Sequence, residues 1–270
     1  MTKPSLYLGG ELAVARDGHI MIVEIRRPPH NFFDRALIEA IADAFEDADR
    51  DDSCRAIVLC AEGTAFCAGA SFGDPDAFDA DGNAPGAPDA GELRGLYDAA
   101  TRLFACGVPC IAAVQGPAIG GGFGLAMMAD FRVTCDEARF SANFTRLGIH
   151  PGFGLSVTLP RIVGQQRAAL VFATARRMTG GEAVELGLAD VLVPHAEVRR
   201  AAMTLAREIA ANAPLAVRST RATLRRGLTE AVQAATEIEL AEQVWLRRTA
   251  DFREGIRASH QRRKPDFSAT

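Results

Sequence analysis

The chain has 270 residues, 48% hydrophobic and 24% charged, with a formal net charge of −4 at pH 7. That length accommodates one large domain or two small ones, and the apolar fraction builds a core without disulfide or metal staples. The balance excludes a disordered chain, and the slight acidity offers no field to attract nucleic acid. Residues 11–17 and 19–26 are β-rich runs that meet at Gly18, which predicts a hairpin. After the break RRPPHN, Leu37, Ile38, Ile41 and Phe45 share one helical face behind Asp34, a fitting N-cap, and this helix is expected to end near Asp49. Residues 56–60 (AIVLC) form the short apolar run of a strand buried on both faces. The glycine-punctuated loop AEGTAFCAGASFG follows it.

From Gly73 to Glu92 the composition turns to Asp, Gly and Pro with no basic residue. Such a segment forms no buried element and is read as an exposed, solvated insertion, with a lid over a site as the alternative. Residues 93–105 have helical periodicity, 110–114 read as a strand, and 121–129 as a helix entered through three glycines. The strand FRVTC, short β-like pieces and turns over 138–154, helices around 155–173 and 181–186, and a strand over 190–193 come next. Beyond Pro194 the pattern is wholly helical, at 196–211, 214–226, 229–248 and 251–260. The change divides the chain into a mixed part, 1–195, and a helical part, 196–270.

One stretch carries much of the glycine. Residues 103–129 contain no charge and include Gly107, Gly116, Gly120, Gly121, Gly122 and Gly124. Its length would span a bilayer, but Pro109, Gln115, Pro117 and the glycines deplete its helix propensity, so a buried strand, turn and helix fit better than a membrane segment. The start MTKPSLYLGGEL has no basic region followed by an apolar core, and the expected compartment is the cytoplasm. Cys54, Cys60, Cys67, Cys106, Cys110 and Cys135 show no paired ligand spacing and read as buried or free thiols rather than a metal site.

Two short motifs mislead. GASFG matches the spacing of a nucleophile elbow at Ser71, but no helical pattern follows it and a loop separates it from the strand AIVLC. GGGFG lacks the lysine of a phosphate loop. Both glycine-rich loops follow buried strands and leave backbone N–H groups beside residues without bulk, and the second also opens a helix. If they meet, they can hold an anionic oxygen from two sides; the alternative is tight packing of helix on strand.

AIVLCAEGTAFCAGASF, followed by PCIAAVQGPAIGGGFGLAMMADFRV, closely resembles the crotonase superfamily, also called the enoyl-CoA hydratase/isomerase family. The similarity continues through ARFSANFTRLGIHPGFG to RRKPDF and so spans about Glu11 to Phe267. The resemblance implies an α/β fold, a spiral of β-β-α turns with a C-terminal helical trimerisation region, and assembly as a homotrimer or a dimer of trimers. It implies that an acyl-CoA thioester binds with its carbonyl oxygen against two backbone N–H groups, Ala68 and Gly121 by motif position. Coenzyme A enters as part of the substrate, and no permanently bound cofactor is expected. Gly69, Ala70 and Ser71 would follow the CoA with Ala68, and Arg262 and Lys264 would reach a phosphate.

The acid–base positions of the resemblance depart from its hydratases. Gly124 and Phe144 stand where these carry two glutamates, and Gly152 where other members carry an aspartate. None of these residues takes up a proton, so the expected chemistry is isomerase, hydrolase or decarboxylase in type rather than ordinary hydration. His150, in the loop LGIHPGFG, is the replacement acid–base candidate, with ordering of the Pro151–Gly152 turn as its structural alternative. Tyr97, Asp89 and Glu92 are further candidates, His30 is a candidate CoA contact, and Asp130 reads as structural. The alternatives are a hydratase whose acid–base groups come from a lid over residues 73–97, and a non-catalytic acyl-CoA binder.

Overall fold

Strand β1 (Ser5–Tyr7) pairs antiparallel with β2 (Leu12–Asp17), which turns at Gly18 into β3 (Ile20–Ile25), the expected hairpin. Every residue of β3 is buried. The computed structural model describes residues 2, 4–73 and 89–270, so most of the 73–92 insertion lies outside the described residues. Helix α1 (Arg35–Arg50) begins at Asp34, whose carboxylate accepts the Leu37 N–H at 2.9 Å, a cap contributing about 1 kcal/mol. Its face of Leu37, Ile38, Ile41 and Phe45 is fully buried, each side chain contributing about 2 kcal/mol as an upper estimate.

Strand β4 (Ala56–Ala61), helix α2 (Ala90–Ala105) and strand β5 (Cys110–Val114) follow. The uncharged stretch resolves into the end of α2, β5, the three-residue β6 (Pro117–Ile119) and helix α3 (Gly121–Met128). Next come β7 (Phe131–Thr134), β8 (Arg139–Ser141), α4 (Leu155–Val163), α5 (Gln165–Thr174), β9 (Met178–Thr179), α6 (Gly180–Glu185) and β10 (Val191–Leu192). Four helices end the chain: α7 (Val198–Ala210), α8 (Pro214–Leu224), α9 (Leu228–Leu246) and α10 (Ala250–His260).

The strands form a seven-stranded sheet in the order β1-β2-β3-β4-β5-β7-β10 and a three-stranded sheet in the order β6-β8-β9. From β3 onward the larger sheet is parallel. The chain alternates between the two sheets before each helix: β5 to β6 to α3, then β7 to β8 to α4. The segment after β4 follows the same course, since Cys67 bridges Ala118 of β6 before the chain reaches α2. These repeated β-β-α turns are an α/β spiral. The parallel strands read as continuous apolar runs because helices cover them, α7 lying across β4, β5 and β7. Packing therefore runs across the mixed-to-helical change near residue 196, and one core cluster extends from Leu12 to Ile256.

No helix among the described residues is long and apolar enough to cross a membrane. All six cysteines are buried free thiols, and the described residues contain no cluster of three or more His, Cys, Asp or Glu arranged to hold a metal.

Candidate active site

The spiral brings the two glycine-rich loops together. A Cβ built on Gly69 would stand 2.9 Å from the Ile119 carbonyl oxygen and 3.3 Å from the Gly121 nitrogen, and one on Gly122 would stand 2.0 Å from the Cys67 carbonyl oxygen. Side chains are excluded there because two backbones touch. Between the loops lies a cavity of about 550 Å³, lined by residues 68–73 and 119–121, by His30, Phe33 and Phe72, by α2 and by the 143–153 loop.

One of the two donors facing this cavity lies two residues from the expected position. Gly69 adopts φ +86°, which turns the chain and resets the alternation of its N–H groups. The Ala68 N–H donates to the His30 carbonyl at 3.0 Å and is not free for a ligand, which corrects its assignment as a donor. Gly69 offers its carbonyl to the Phe33 N–H at 3.0 Å, and Ala70 lies opposite Phe33 in an isolated parallel bridge. The Ala70 N–H has no acceptor among the described residues. Neither does the Gly121 N–H, one of the orphan donors in the first turn of α3. Ala70 and Gly121 therefore bring unpaired donors to one cavity, the second strengthened by the positive end of a helix.

The space beside the two glycines at the acid–base positions is filled. A Cβ on Gly124 would stand 2.7 Å from the Phe153 Cβ, so the Phe153 side chain occupies that space; Gly124 does not line the cavity, and the pocket is not widened there. A Cβ on Gly152 would stand 2.1 Å from the Tyr97 hydroxyl and 2.7 Å from Gln243 Nε2. Tyr97 is 6% exposed, and burial pushes its phenol above the ordinary range. Phe144 lines the cavity as an apolar wall. No Asp or Glu occurs among the described lining residues.

Other candidates stand elsewhere. His150 does not line the cavity; its Nδ1 lies 2.8 Å from the Pro151 carbonyl, so the ring is held in its own turn. Asp89 and Glu92 form the N-terminal capping box of α2, each accepting a backbone N–H of the other, and are held at the helix end. His30 lines the cavity from an exposed position, and Ser71 lines it without the strand-to-helix turn of a nucleophile elbow. Cys67, behind the loop, is fully buried, and burial pushes its thiol up to about 12, which disfavours the thiolate. Asp130 is structural: its carboxylate accepts the Cys110 N–H at 2.8 Å and pairs with Arg221 and Arg225 at 2.9 Å.

A second cavity of about 710 Å³ adjoins the first, sharing Ile119, Asn143, Leu147, Arg177 and Ser259 with it. Arg146, Arg176, Arg177, Arg262 and Arg263 line it, and no acidic residue does. Arg262 is thus placed as a basic wall, whereas Lys264 is exposed and outside both linings. The sequence reading missed Ala70 as a donor, the Tyr97–Gln243–Phe153 group, and these arginines. The adjacent pairs Arg176–Arg177 and Arg262–Arg263 were the available signal, but only the spiral folds them onto one wall.

The enoyl-CoA hydratase/isomerase family model matches residues 15–270. The chain belongs to the enoyl-CoA hydratase/isomerase family. An enoyl-CoA hydratase from Mycobacterium tuberculosis is 34% identical over 270 residues, covering 96% of this chain and 97% of the relative. The 2,3-dehydroadipyl-CoA hydratase of Escherichia coli is 32% identical over 258 residues, with 95% and 98% covered. Among solved structures, an enoyl-CoA hydratase/isomerase from Pseudoalteromonas atlantica superposes with a TM-score of 0.82 at 30% identity, over 96% of this chain and all of that one. The family is thus matched along almost the whole spiral and the helical region.

Proposed function

We propose that the protein is an acyl-CoA enzyme that stabilises a thioester enolate, with the Ala70 and Gly121 N–H groups donating to the thioester oxygen. The observation that carries this reading is the pair of unpaired donors at one cavity, from two loops whose backbones touch through Gly69 and Gly122. Charge gathers on the thioester oxygen when the α-carbon gains or loses a substituent, and fixed donors favour that state over the ground state. The arginine-lined cavity is assigned to the phosphates of coenzyme A, Arg262 among its contacts, with Arg binding phosphate through paired N–H groups.

Chemistry other than hydration by two carboxylates is the favoured reading, because Gly124, Phe144 and Gly152 stand at the acid–base positions and Phe144 is an apolar wall of the cavity; a hydratase with carboxylates supplied from residues 73–97 is the second reading. The favoured chemistry is isomerisation, hydrolysis or decarboxylation, with protons carried by water or by the rim imidazoles of His30 and His260, which both line the cavity. The assembly is a trimer or dimer of trimers built on the helical region. Helix α8 buries no residue within its own chain and leaves Leu215 and Leu224 largely exposed, a face suited to another copy.

The test is α-proton exchange of a saturated acyl-CoA in deuterated water, set beside hydration of crotonyl-CoA. Exchange without rapid hydration is expected. Rapid hydration overturns the objection to a hydratase, and tight thioester binding without exchange or turnover of a thioester panel moves the protein to a non-catalytic binder.

A further inference from the structure

The cavity contains a buried hydroxyl that the proposed function leaves unused, that of Tyr97 on α2. It stands beyond the Gly121 donor along a line of aromatic contacts. A Cβ on Gly121 would meet the Phe33 ring at 2.4 Å, the Phe33 and Phe153 rings lie 5.4 Å apart, and Phe153 touches Tyr97 through its backbone. Leu93, Leu96, Leu147 and Ile149 complete an apolar surround at this end.

The Phe153 backbone N–H and the side-chain amide of Gln243 lie beside the phenolic oxygen. Gln243 Nε2 donates to the His150 carbonyl at 2.8 Å, which orients the amide. Neither neighbouring N–H group can accept the phenol's proton, and no acceptor for it is present among the described residues. Glu239, whose charge acts on Tyr97, is committed to the Gly154 N–H at 2.8 Å, the Ser156 N–H at 3.1 Å and the Ser156 hydroxyl at 2.5 Å. Burial keeps the phenol neutral, which makes it a donor rather than a base. Gly152 is part of the device, since any larger residue would displace the hydroxyl.

We infer that Tyr97 determines acyl specificity, its O–H donating to an oxygen substituent, hydroxyl or keto, on the acyl chain, so that oxygenated acyl thioesters bind in preference to plain hydrocarbon ones. The inference rests on the acyl-CoA reading above. A hydrocarbon chain would exclude water and leave the O–H without an acceptor, whereas an oxygenated chain completes it.

The experiment measures dissociation constants of 3-hydroxybutyryl-CoA, 3-oxobutyryl-CoA and butyryl-CoA for the full chain and for Tyr97→Phe. The unmodified protein is expected to prefer an oxygenated thioester by about tenfold, and Tyr97→Phe to erase the preference while still binding butyryl-CoA. A second readout needs no variant. The chain has two tyrosines, Tyr7 and Tyr97, so 13C-labelled tyrosine gives two ring signals, and the Tyr97 Cζ resonance is expected to move with an oxygenated thioester and not with butyryl-CoA. Equal affinities in the unmodified protein, or a preference that survives in Tyr97→Phe, overturn the role of Tyr97 and leave the acyl-CoA reading standing. Failure of all three thioesters to bind overturns both.

Discussion

Two regions of the molecule use buried polar groups in opposite ways. At the junction of sheet and helical region, charges are dense and paired. Asp130, only 11% exposed at its side chain, ties the start of β5 to Arg221 and Arg225, and buried Arg132 donates to the Leu188 and Ala129 carbonyls and pairs with Asp190. Around the cavity between the glycine-rich loops there is no described carboxylate in the lining, and the polar groups are unpaired main-chain N–H donors, side-chain amides, a phenol and, among others, His30, His260 and Arg177. The junction shows what a structural acid looks like here: several donors per carboxylate and no exposed reactive edge. Glu239 is of that kind, although it lies beside the cavity. Burial raises its carboxyl pKa, while its oxygens are spent on Gly154 and Ser156. A buried, shifted acid near a site is therefore not by itself an acid–base catalyst.

The comparison breaks first at the junction. Asp130→Ala leaves two buried guanidinium groups without their partner and is expected to destabilise the fold by about 3–5 kcal/mol, read by denaturant unfolding. Gly122→Ala drives a methyl into the Cys67 carbonyl and is expected to lose about 3 kcal/mol, with weaker thioester binding because the two loops must separate. Gly152→Ala pushes on the Tyr97 hydroxyl rather than on backbone. The fold should survive, while kcat/KM falls by about tenfold or more in steady-state assays. His150→Ala sharpens the contrast from the other side, since the ring is occupied with its own turn and turnover should stay within about twofold.

The smallest effect lies at the C-terminal tail. Arg263 holds the Glu254 carboxyl down to about 2, below its ordinary 4.5. A depressed acid contributes stability that is fully present above the unfolded value and is lost as pH falls through the folded one. Tail anchoring should therefore weaken between about pH 4.5 and 2, and added salt should shrink the effect because the pair is solvated. Hydrogen exchange of the Asp266 amide, which donates to Glu254 at 2.9 Å, reads it directly.

Much of the architecture was legible because local rules and tertiary packing agree. Gly18 turns the hairpin, Asp34 caps α1, and the apolar runs AIVLC and CIAAV are strands covered on both faces. The short strands β6 and β9 were not visible, since three and two residues carry no period and owe their pairing to partners distant in sequence. At the site, the loops were legible as places where backbone is bared, but the donor itself was not. The shift from Ala68 to Ala70 follows from the left-handed turn at Gly69 and the capture of the Ala68 N–H by His30, which no spacing encodes. The glycines at 124 and 152 look like missing side chains in one dimension. In three dimensions, Phe153 and Tyr97 arrive from elsewhere and fill the space.

In the proposed site, the Ala70 and Gly121 N–H groups polarise a thioester carbonyl. Infrared difference spectroscopy of an acyl-CoA labelled with 13C at the thioester carbon tests it directly. A bound carbonyl band shifted to lower frequency than in water is expected, as two aligned donors produce. A carbonyl that binds with its frequency unchanged or raised contradicts it.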